Sequence, residues 1–535
     1  MTAPTTVVDE TAYTHLVIGA GPAGLQLARH LHEAGHRYSV LEAADAPGAF
    51  FATFPRHRTL ISINKPHTGT HDPELNLRMD WNSILSGDPK LLFTHYTERY
   101  FPPADELRRY LADYARACDL RIDYNSRVVR IERPEPDGEF VVTAEDGSVR
   151  RAEVVIVAAG LSASYIPPIP GIEHAEQYAT MPVDPADFTD QRVLILGKGN
   201  SAFETADNLI EQAAVIHVAG PDGLRLAWKT HYVGHLRAVN NNFLDTYQLK
   251  SQNAILDGTV LDITPQPGGG YLVRFSFVRA DEVVKALYYD RVLCCTGFRL
   301  DAAPFAEDCT PSLVIKDRFA ELTSAYESVN VPGLYFAGTL MQQRDFKKAT
   351  TGFIHGFRYT VRALSRILDQ RGNGRAWPHR MLPASPGSLA DAVIERVNRS
   401  SALWQQFSVM ADVILLPAGG EAQYLEEVPV AYALDGRLAE PGTGLATDGL
   451  LIAVTLEYGP DHDKVDPLDV TVKRTAQDDA AAAHDAAYLH PVVRVHRDGI
   501  KLAEHHLAEN LENHWNGEAS HRAPLVAFFE KAVTL

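Results

Sequence analysis

The chain has 535 residues, 45% of them hydrophobic and 22% charged, with a formal net charge of -18. At about 150 residues per domain, such a length holds roughly three to four domains. The acidic balance argues against polyanion binding, so neither nucleic acid nor an anionic membrane is an expected partner. No stretch approaches the ~18 uninterrupted apolar residues of a membrane span. Cys118, Cys294, Cys295 and Cys309 form no C-x-x-C pair; such sparse thiols fit a reducing compartment rather than a disulfide scaffold. Met1 to Thr14 is polar, includes Asp9 and Glu10, and lacks the basic-then-apolar layout of a leader. A cytoplasmic protein is predicted.

Residues 15–20 (HLVIGA) are an apolar run ending in glycine. Helical spacing follows at Leu25, Leu27, Ala28 and Leu31, and then a short buried strand, YSVLEA (38–43). This is a β-α-β unit. Residues 105–117 predict an amphipathic helix with Asp105 near its start. RVVRIER (127–133), FVVTAE (140–145) and EVVIVAA (153–159) predict strands, with a hairpin around Asp146-Gly147. The pattern restarts at 192–210 (strand, glycine turn, helix), followed by strands AVIHVAG (214–220) and RVLCCTGF (291–298). GLYFAGT (333–339) is a strand running into glycine, and 352–368 is a long helix. Residues 371–388, rich in Gly, Pro and polar side chains, predict a linker. Beyond it come a helix near 389–409, strands VPVAYAL (428–434), LLIAVTLEYG (450–459) and PVVRVHR (491–497), a His/Glu-rich helix, and a last helix near 524–533.

Gly19-Ala20-Gly21-Pro22-Ala23-Gly24 is G-x-G-x-x-G between a strand and a helix, and Glu42 ends the next strand. Gly19 permits the tight turn, Gly21 the approach of a pyrophosphate, and Gly24 close helix–strand packing, while Glu42 can bond a ribose hydroxyl. Gly197-Lys198-Gly199-Asn200-Ser201-Ala202 repeats the arrangement. No acid ends its following strand, and Arg225 and Lys229 come soon after. That combination favours a 2′-phosphate, hence NADPH over NADH. Two dinucleotide turns in one chain imply electron transfer between two cofactors.

In order and in form, GAGPAG, GKGNSA and the D-x-x-x-x-x-T-G-F element from Asp290 to Phe298 resemble the class B flavin-dependent monooxygenases. FFATFPRHRTLISINK (50–65) and NVPGLYFAG (330–338) look most like the FAD-dependent oxidoreductase domain-containing branch. The resemblance implies an α/β fold of two Rossmann-like domains. An FAD domain (1–165 and 301–370) is interrupted by an NADPH domain (166–300), and a C-terminal α+β domain (389–535) lies outside the shared core. It implies that Gly19, Gly21, Pro22, Ala23, Gly24 and Glu42 hold FAD, together with Arg56, His57, Arg58, Val129 and Gly338. Gly197, Gly199, Asn200, Ser201, Ala202, Glu204, Arg225, Thr296 and Gly297 complete the cofactor-binding set on the NADPH side. Asn64 would stand beside the flavin ring, with Lys65 and Asn240 as further catalytic residues.

The resemblance also implies the reaction: a C4a-hydroperoxyflavin that oxygenates a small nucleophilic substrate, with N-hydroxylation of an amine or amino acid preferred over Baeyer–Villiger or sulfur oxygenation. Such chemistry needs a dry site and no protein nucleophile. The alternatives are an NADPH-dependent reductase or dehydrogenase without oxygen insertion, and a non-catalytic flavoprotein. A disulfide reductase needs two cooperating thiols; Cys294 and Cys295 are neighbours on a strand and face opposite ways. Candidate substrate contacts are Arg78 and Trp81, then His231, Tyr232 and Arg237 in the polar–aromatic segment 225–250, and Arg344 and Lys347. His231 and His235, like His67 and His71, have i, i+4 spacing but no third ligand, so no metal is expected. The expected partners are a small substrate and O2, with the C-terminal domain assigned to capping the site or forming a homodimer.

Overall fold

The computed structural model describes residues 12–249, 251–277, 279–439, 444–446, 448–472, 474–476 and 479–535. The polar N-terminus, read above for a leader, lies outside them up to residue 11. The first sheet is built on strand β1 (Ala12–Ile18), helix α1 (Pro22–Glu33) and strand β2 (Tyr38–Leu41). Leu16, Val17, Val40 and Leu41 are buried, and α1 turns Leu25, Leu27, Ala28 and Leu31 inward. Helix α2 (Ala104–Ala117) and strands β3 (Ile122–Asp123), β4 (Val128–Glu132), β5 (Phe140–Ala144) and β6 (Val149–Val157) follow. The strand order is β3-β2-β1-β6-β5-β4, with a late strand parallel on β6.

The second sheet comprises β7 (Glu176–Gln177), β8 (Arg192–Leu196), β9 (Val215–Gly220), β10 (Ala254–Pro265), β11 (Tyr271–Phe277), β12 (Val283–Tyr289) and β13 (Arg291–Cys294). Helix α3 (Asn200–Leu209) connects β8 to β9. The order is β12-β11-β10-β9-β8-β13-β7, parallel from β10 through β7 and antiparallel along the ribbon β10-β11-β12. The chain then returns through β14 (Leu334–Phe336), which completes the first sheet, and helix α4 (Ile354–Asn373), which packs on α1.

The segment 371–388 is no linker. Helix α4 runs to Asn373, and β15 (His379–Leu382) pairs antiparallel into the C-terminal sheet, from His379 opposite Leu425 to Leu382 opposite Ala422. Its Gly and Pro residues cap helices: Gly374 takes a left-handed conformation after α4, and Pro386 opens α5 (Pro386–Arg399). The helix expected near 389–409 breaks at Ser400, whose hydroxyl caps α6 (Ser401–Gln405) by accepting from Leu403 N at 3.1 Å.

Strands β16 (Met410–Leu416), β17 (Ala422–Pro429), β18 (Leu450–Glu457), β19 (His490–Arg497) and β20 (Ile500–His506) finish a wholly antiparallel sheet ordered β15-β17-β16-β18-β19-β20. The expected strand VPVAYAL is strand only to Pro429; α7 (Val430–Leu434) follows. The expected His/Glu-rich helix is the edge strand β20 and irregular chain after it. Helix α8 (Ala523–Ala532) packs on α5.

One continuous apolar core joins the first sheet to the C-terminal sheet, from Leu16 and Val155 through Leu364 and Ile367 to Leu389, Ile414 and Val493. The second sheet has its own two clusters, one on each face. No described helix is long and apolar enough to cross a membrane.

Candidate active site

Both glycine turns are built alike. At Gly19 (φ 104°) a side chain would meet the Ala158 carbonyl, and at Gly24 it would fall on the Gly19 carbonyl oxygen. At Gly197 (φ 116°) it would strike the Cys295 carbonyl. By contrast, nothing lies within 4 Å of a Cβ built on Gly21 or on Gly199. These two glycines cap the N-termini of α1 and α3, so each helix offers unscreened N–H groups and its positive pole to open space. Pro22 occupies the first turn of α1, where its missing N–H is no loss, and Ala23 and Ala202 are buried. Gly338 (φ 72°), just after β14, lies so close to α1 that a side chain there would sit 2.5 Å from the Ala23 methyl. The chain following β14 therefore crosses the first turn.

Glu42 is buried, and its carboxylate accepts from Ala20 N at 2.7 Å and Ala44 N at 2.9 Å. It braces the first turn while keeping lone pairs for a ribose hydroxyl. Val129 is 45% exposed at a bulge in β4. Thr296 and Gly297 join the two domains: Thr296 Oγ1 donates to Tyr165 O at 2.5 Å, and Tyr165 N donates to Gly297 O at 2.8 Å.

The arginines and histidine of the 50–65 stretch all have partners within the protein. Arg56 Nη2 donates to Met181 O at 2.6 Å, and His57 Nε2 lies 3.3 Å from Thr205 Oγ1 on α3, so both reach the second domain. Burial pulls His57 down to about 4, which keeps it neutral. Arg58 is ion-paired with Asp105 at 2.6 Å on the surface. Glu204, beside them on α3, accepts from Tyr178 OH at 3.2 Å; burial pushes its carboxyl up to about 7.

Asn64 is fully buried. Its amide nitrogen donates to Thr97 O at 2.6 Å, and its Oδ1 has no partner. Lys65, the next residue, is exposed, which removes it from an enclosed site. Trp81 N donates to Ile63 O at 3.0 Å, which sets the Trp81 ring next to Asn64's strand. That ring stacks on His355 at 4.0 Å, and His355 stacks on Phe353 at 5.8 Å. His355 is completely buried, neither ring nitrogen has a partner, and burial drives it far toward the neutral form. Arg358, one turn further along α4, holds the Trp81 segment by donating to Leu77 O at 2.6 Å, Asp80 O at 2.9 Å and Ser83 O at 3.0 Å.

Sequence reasoning passed over His355 and noted Asp345 only within the polar cluster after Gly338, with no role of its own. Asp345 is buried with Oδ1 unpartnered, and desolvation pushes it up to about 7. A single His within an amphipathic helix and a single Asp in a polar loop carry no spacing signal.

The polar–aromatic segment is a strap joining all three parts of the molecule. At its base Asn200 is fully committed: Nδ2 donates to His235 O at 2.8 Å, and Oδ1 accepts from Arg237 N at 3.0 Å and Asn240 Nδ2 at 3.3 Å. Asn240 thus secures the strap. Ser201 O accepts from Thr205 Oγ1 at 2.8 Å. Toward the first domain, Arg237 donates to Ile61 O at 3.0 Å and lies over the Trp81 ring at 5.2 Å, while Tyr232 OH accepts from Gln342 Nε2 at 2.5 Å. Toward the C-terminal domain, His231 packs edge-on against Tyr458 at 4.7 Å, and Lys229 pairs with Asp466 at 3.9 Å.

Three assigned substrate contacts lie elsewhere or remain at the margin. Arg78 is buried under Trp404 (4.6 Å) and donates to Val397 O, Asn398 O and Ser400 O at 3.4, 3.0 and 3.2 Å, so its guanidinium is taken up in fastening the C-terminal domain. Arg344 donates to Leu322 O at 3.0 Å. Arg225 and Lys347 are exposed. Cys294 and Cys295 fall in the two clusters on opposite faces of the second sheet. Burial raises both thiols.

The sequence profile of the pyridine nucleotide–disulphide oxidoreductase family matches residues 16–338, more than half of the chain. The chain belongs to that family. A mouse relative, FAD-dependent oxidoreductase domain-containing protein 2, is 38% identical over 572 aligned residues, covering 97% of this chain and 84% of that protein. Among solved structures, the flavin-containing monooxygenase of Stenotrophomonas maltophilia superposes with a TM-score of 0.53 at 21% identity, over 68% of this chain and 99% of that one. The bacillithiol disulfide reductase of Bacillus cereus gives 0.52 at 19%, over 67% and 99%. A flavin-containing monooxygenase and a disulfide reductase thus share this fold. FAD and a pyridine nucleotide are the cofactors of this family member, and the two open turns fit two dinucleotides.

Proposed function

We propose that this protein is an NADPH- and oxygen-dependent flavin monooxygenase that hydroxylates a nucleophilic nitrogen on a small amine or amino acid. FAD takes the turn at Gly19–Gly24 and NADPH the turn at Gly197–Ser201. The domain division is 1–165 with 301–370 for FAD, 166–300 for NADPH and 389–535 for the C-terminal part. A homodimer and a cytoplasmic setting belong to the same proposal.

The observation that carries this reading is a pair of buried, neutral polar groups, Asn64 and His355, linked through the Trp81 segment and each with bare hydrogen-bonding atoms. Bound FAD would supply a two-electron reduction of dioxygen. An uncharged amide and an uncharged imidazole, shielded from water, can accept hydrogen bonds there without delivering a stray proton. Trp81 and Phe353 hold the imidazole by stacking, and Arg358 fixes Trp81. A disulfide substrate, by contrast, would find no paired thiols to relay electrons, since Cys294 and Cys295 face away from one another. The balanced reaction is substrate + O2 + NADPH + H+ giving hydroxylated substrate + H2O + NADP+.

The test is a panel of small amines and amino acids with the FAD-loaded full chain. NADPH consumption, peroxide release and product mass are followed together. The expected result is a product one oxygen atom heavier, formed in step with NADPH while peroxide falls. Peroxide equal to NADPH with every substrate, together with turnover of a quinone or disulfide, would make the protein a reductase.

A further inference from the structure

The far end of the strap is gripped by a group of rings from the C-terminal domain. His231 meets Tyr458 edge-on at 4.7 Å and His462 at 5.4 Å. Tyr458 and His462 stack at 5.0 Å with their planes 20° apart, and Phe407 closes the group edge-on against Tyr458 at 5.1 Å. Burial lowers both imidazoles, so they pack as neutral rings. Lys229 and Asp466 add an ion pair at 3.9 Å nearby. Phe407, Tyr458 and His462 all lie beyond residues 16–338, the stretch that the family shares.

The two sides of this contact are rooted in different parts of the molecule. Tyr458 directly follows β18, and Ser408, next to Phe407, donates its backbone N–H to Leu456 O at 2.9 Å. Gly459 permits the sharp exit toward His462, because a side chain there would fall on the Ala486 carbonyl oxygen. Gln406 Nε2 donates to Thr351 Oγ1 at 3.0 Å, just ahead of α4, and the C-terminal sheet shares its apolar core with the first sheet. The strap, by contrast, is chain of the second domain. Ala227 N donates to Leu236 O at 2.9 Å and Leu236 N to Arg225 O at 3.0 Å, which closes a loop with His231 at its far end. Asn200 fastens the returning arm of that loop to α3. His231 has left-handed backbone (φ 58°), a conformation that is costly for a non-glycine residue and persists where its neighbours hold it. A shift of the second domain against the other two therefore pulls His231 against Tyr458 and His462.

We propose that Phe407, Tyr458 and His462 form a latch: by gripping His231, the C-terminal domain holds the strap, and with it the second domain, in place against the rest of the molecule. This gives residues 389–535 a part in controlling interdomain movement, and it holds whichever reaction the site performs.

Amide exchange on the FAD-loaded full chain tests the latch at Ala227 and Leu236, whose hydrogen bonds close the loop. In the double variant Tyr458→Leu/His462→Leu, exchange at both amides is expected to rise about tenfold, the worth of one or two edge-on ring contacts. Ile414 and Ile452, paired within the C-terminal sheet, are expected to stay protected. Tyr458→Phe/His462→Phe keeps the rings and is expected to exchange like the wild type. His231→Ala leaves the C-terminal domain untouched and is expected to reproduce the tenfold rise, which keeps the test readable if the leucine pair disturbs that domain. Wild-type exchange at Ala227 and Leu236 in His231→Ala or in a folded leucine pair would overturn the latch, as would an equal rise in the phenylalanine pair.

Discussion

The two halves of this flavoprotein bury themselves in different ways. The first sheet shares one apolar core with the C-terminal sheet, whereas the second sheet keeps its own clusters. Polar contacts follow the same division. Arg396 is buried between Asp412 (2.8 Å) and Glu74 (3.2 Å), tying the C-terminal sheet to the short helix Pro73–Met79, and Arg78 fastens the same junction from the other side. The second domain is held by the strap, by the 50–65 stretch and by the Thr296–Tyr165 junction, through single hydrogen bonds and ring contacts. The molecule is thus one large body and one smaller body. An enzyme that moves electrons between two cofactors gains from having one cofactor domain free to shift.

Breaking the large body should have the greatest effect. Arg396→Met leaves Asp412 buried and unpaired, and is expected to cost ~3–5 kcal/mol in urea unfolding; amide exchange should rise across both the first and the C-terminal sheets and stay low across the second. Equal exchange in all three would mean a single cooperative unit. Next comes Gly197→Ala, which sets a methyl against the Cys295 carbonyl at φ 116°. Left-handed strain of ~1–3 kcal/mol predicts a loss of NADPH affinity with FAD retained, read by dinucleotide titration against flavin absorbance. Simultaneous loss of flavin would erase the distinction between the two bodies.

A pH dependence confined to the large body sharpens the comparison from another side. Asp345 is pushed up to about 7 when folded, so the folded chain holds a proton that the unfolded chain releases near pH 4. Stability from this group is therefore complete below its unfolded pKa and is lost as pH rises toward 7, by at most about 1.4 kcal/mol per pH unit. Asp345→Asn should be more stable than the wild type at pH 8, and the gap should close as pH falls from 7 to 4. A gap independent of pH would show that the carboxyl does not titrate in that range.

The glycine turns were legible because they are local. Strand, turn and helix occupy consecutive residues, and Gly19 and Gly197 must adopt conformations open to glycine. The site beyond them depends on pairings such as Asn200 with residues 234–240 and Trp81 with His355, which no short-range pattern records. The C-terminal errors had a readable cause. Lys, Leu, Ala, Glu and His after residue 500 suggest a helix, but Asp498-Gly499 (φ 52° and 74°) is a two-residue hairpin turn that commits Ile500–His506 to pair with β19. Local turn chemistry outweighed composition. Arg78 misled for a different reason: its cluster with Trp81 had the polar–aromatic character of a substrate clamp, and a domain junction draws on the same residue types.

Asn200 has one carbonyl and one amino group, and the strap occupies both. A nucleotide arriving at the second turn faces a choice between two claimants. Either its pyrophosphate rests on backbone N–H groups alone and the strap stays closed, or it captures the Asn200 amide and releases residues 234–240. In the second case, nucleotide arrival and the opening of the span between domains are one event, and each must weaken or strengthen the other by the same factor.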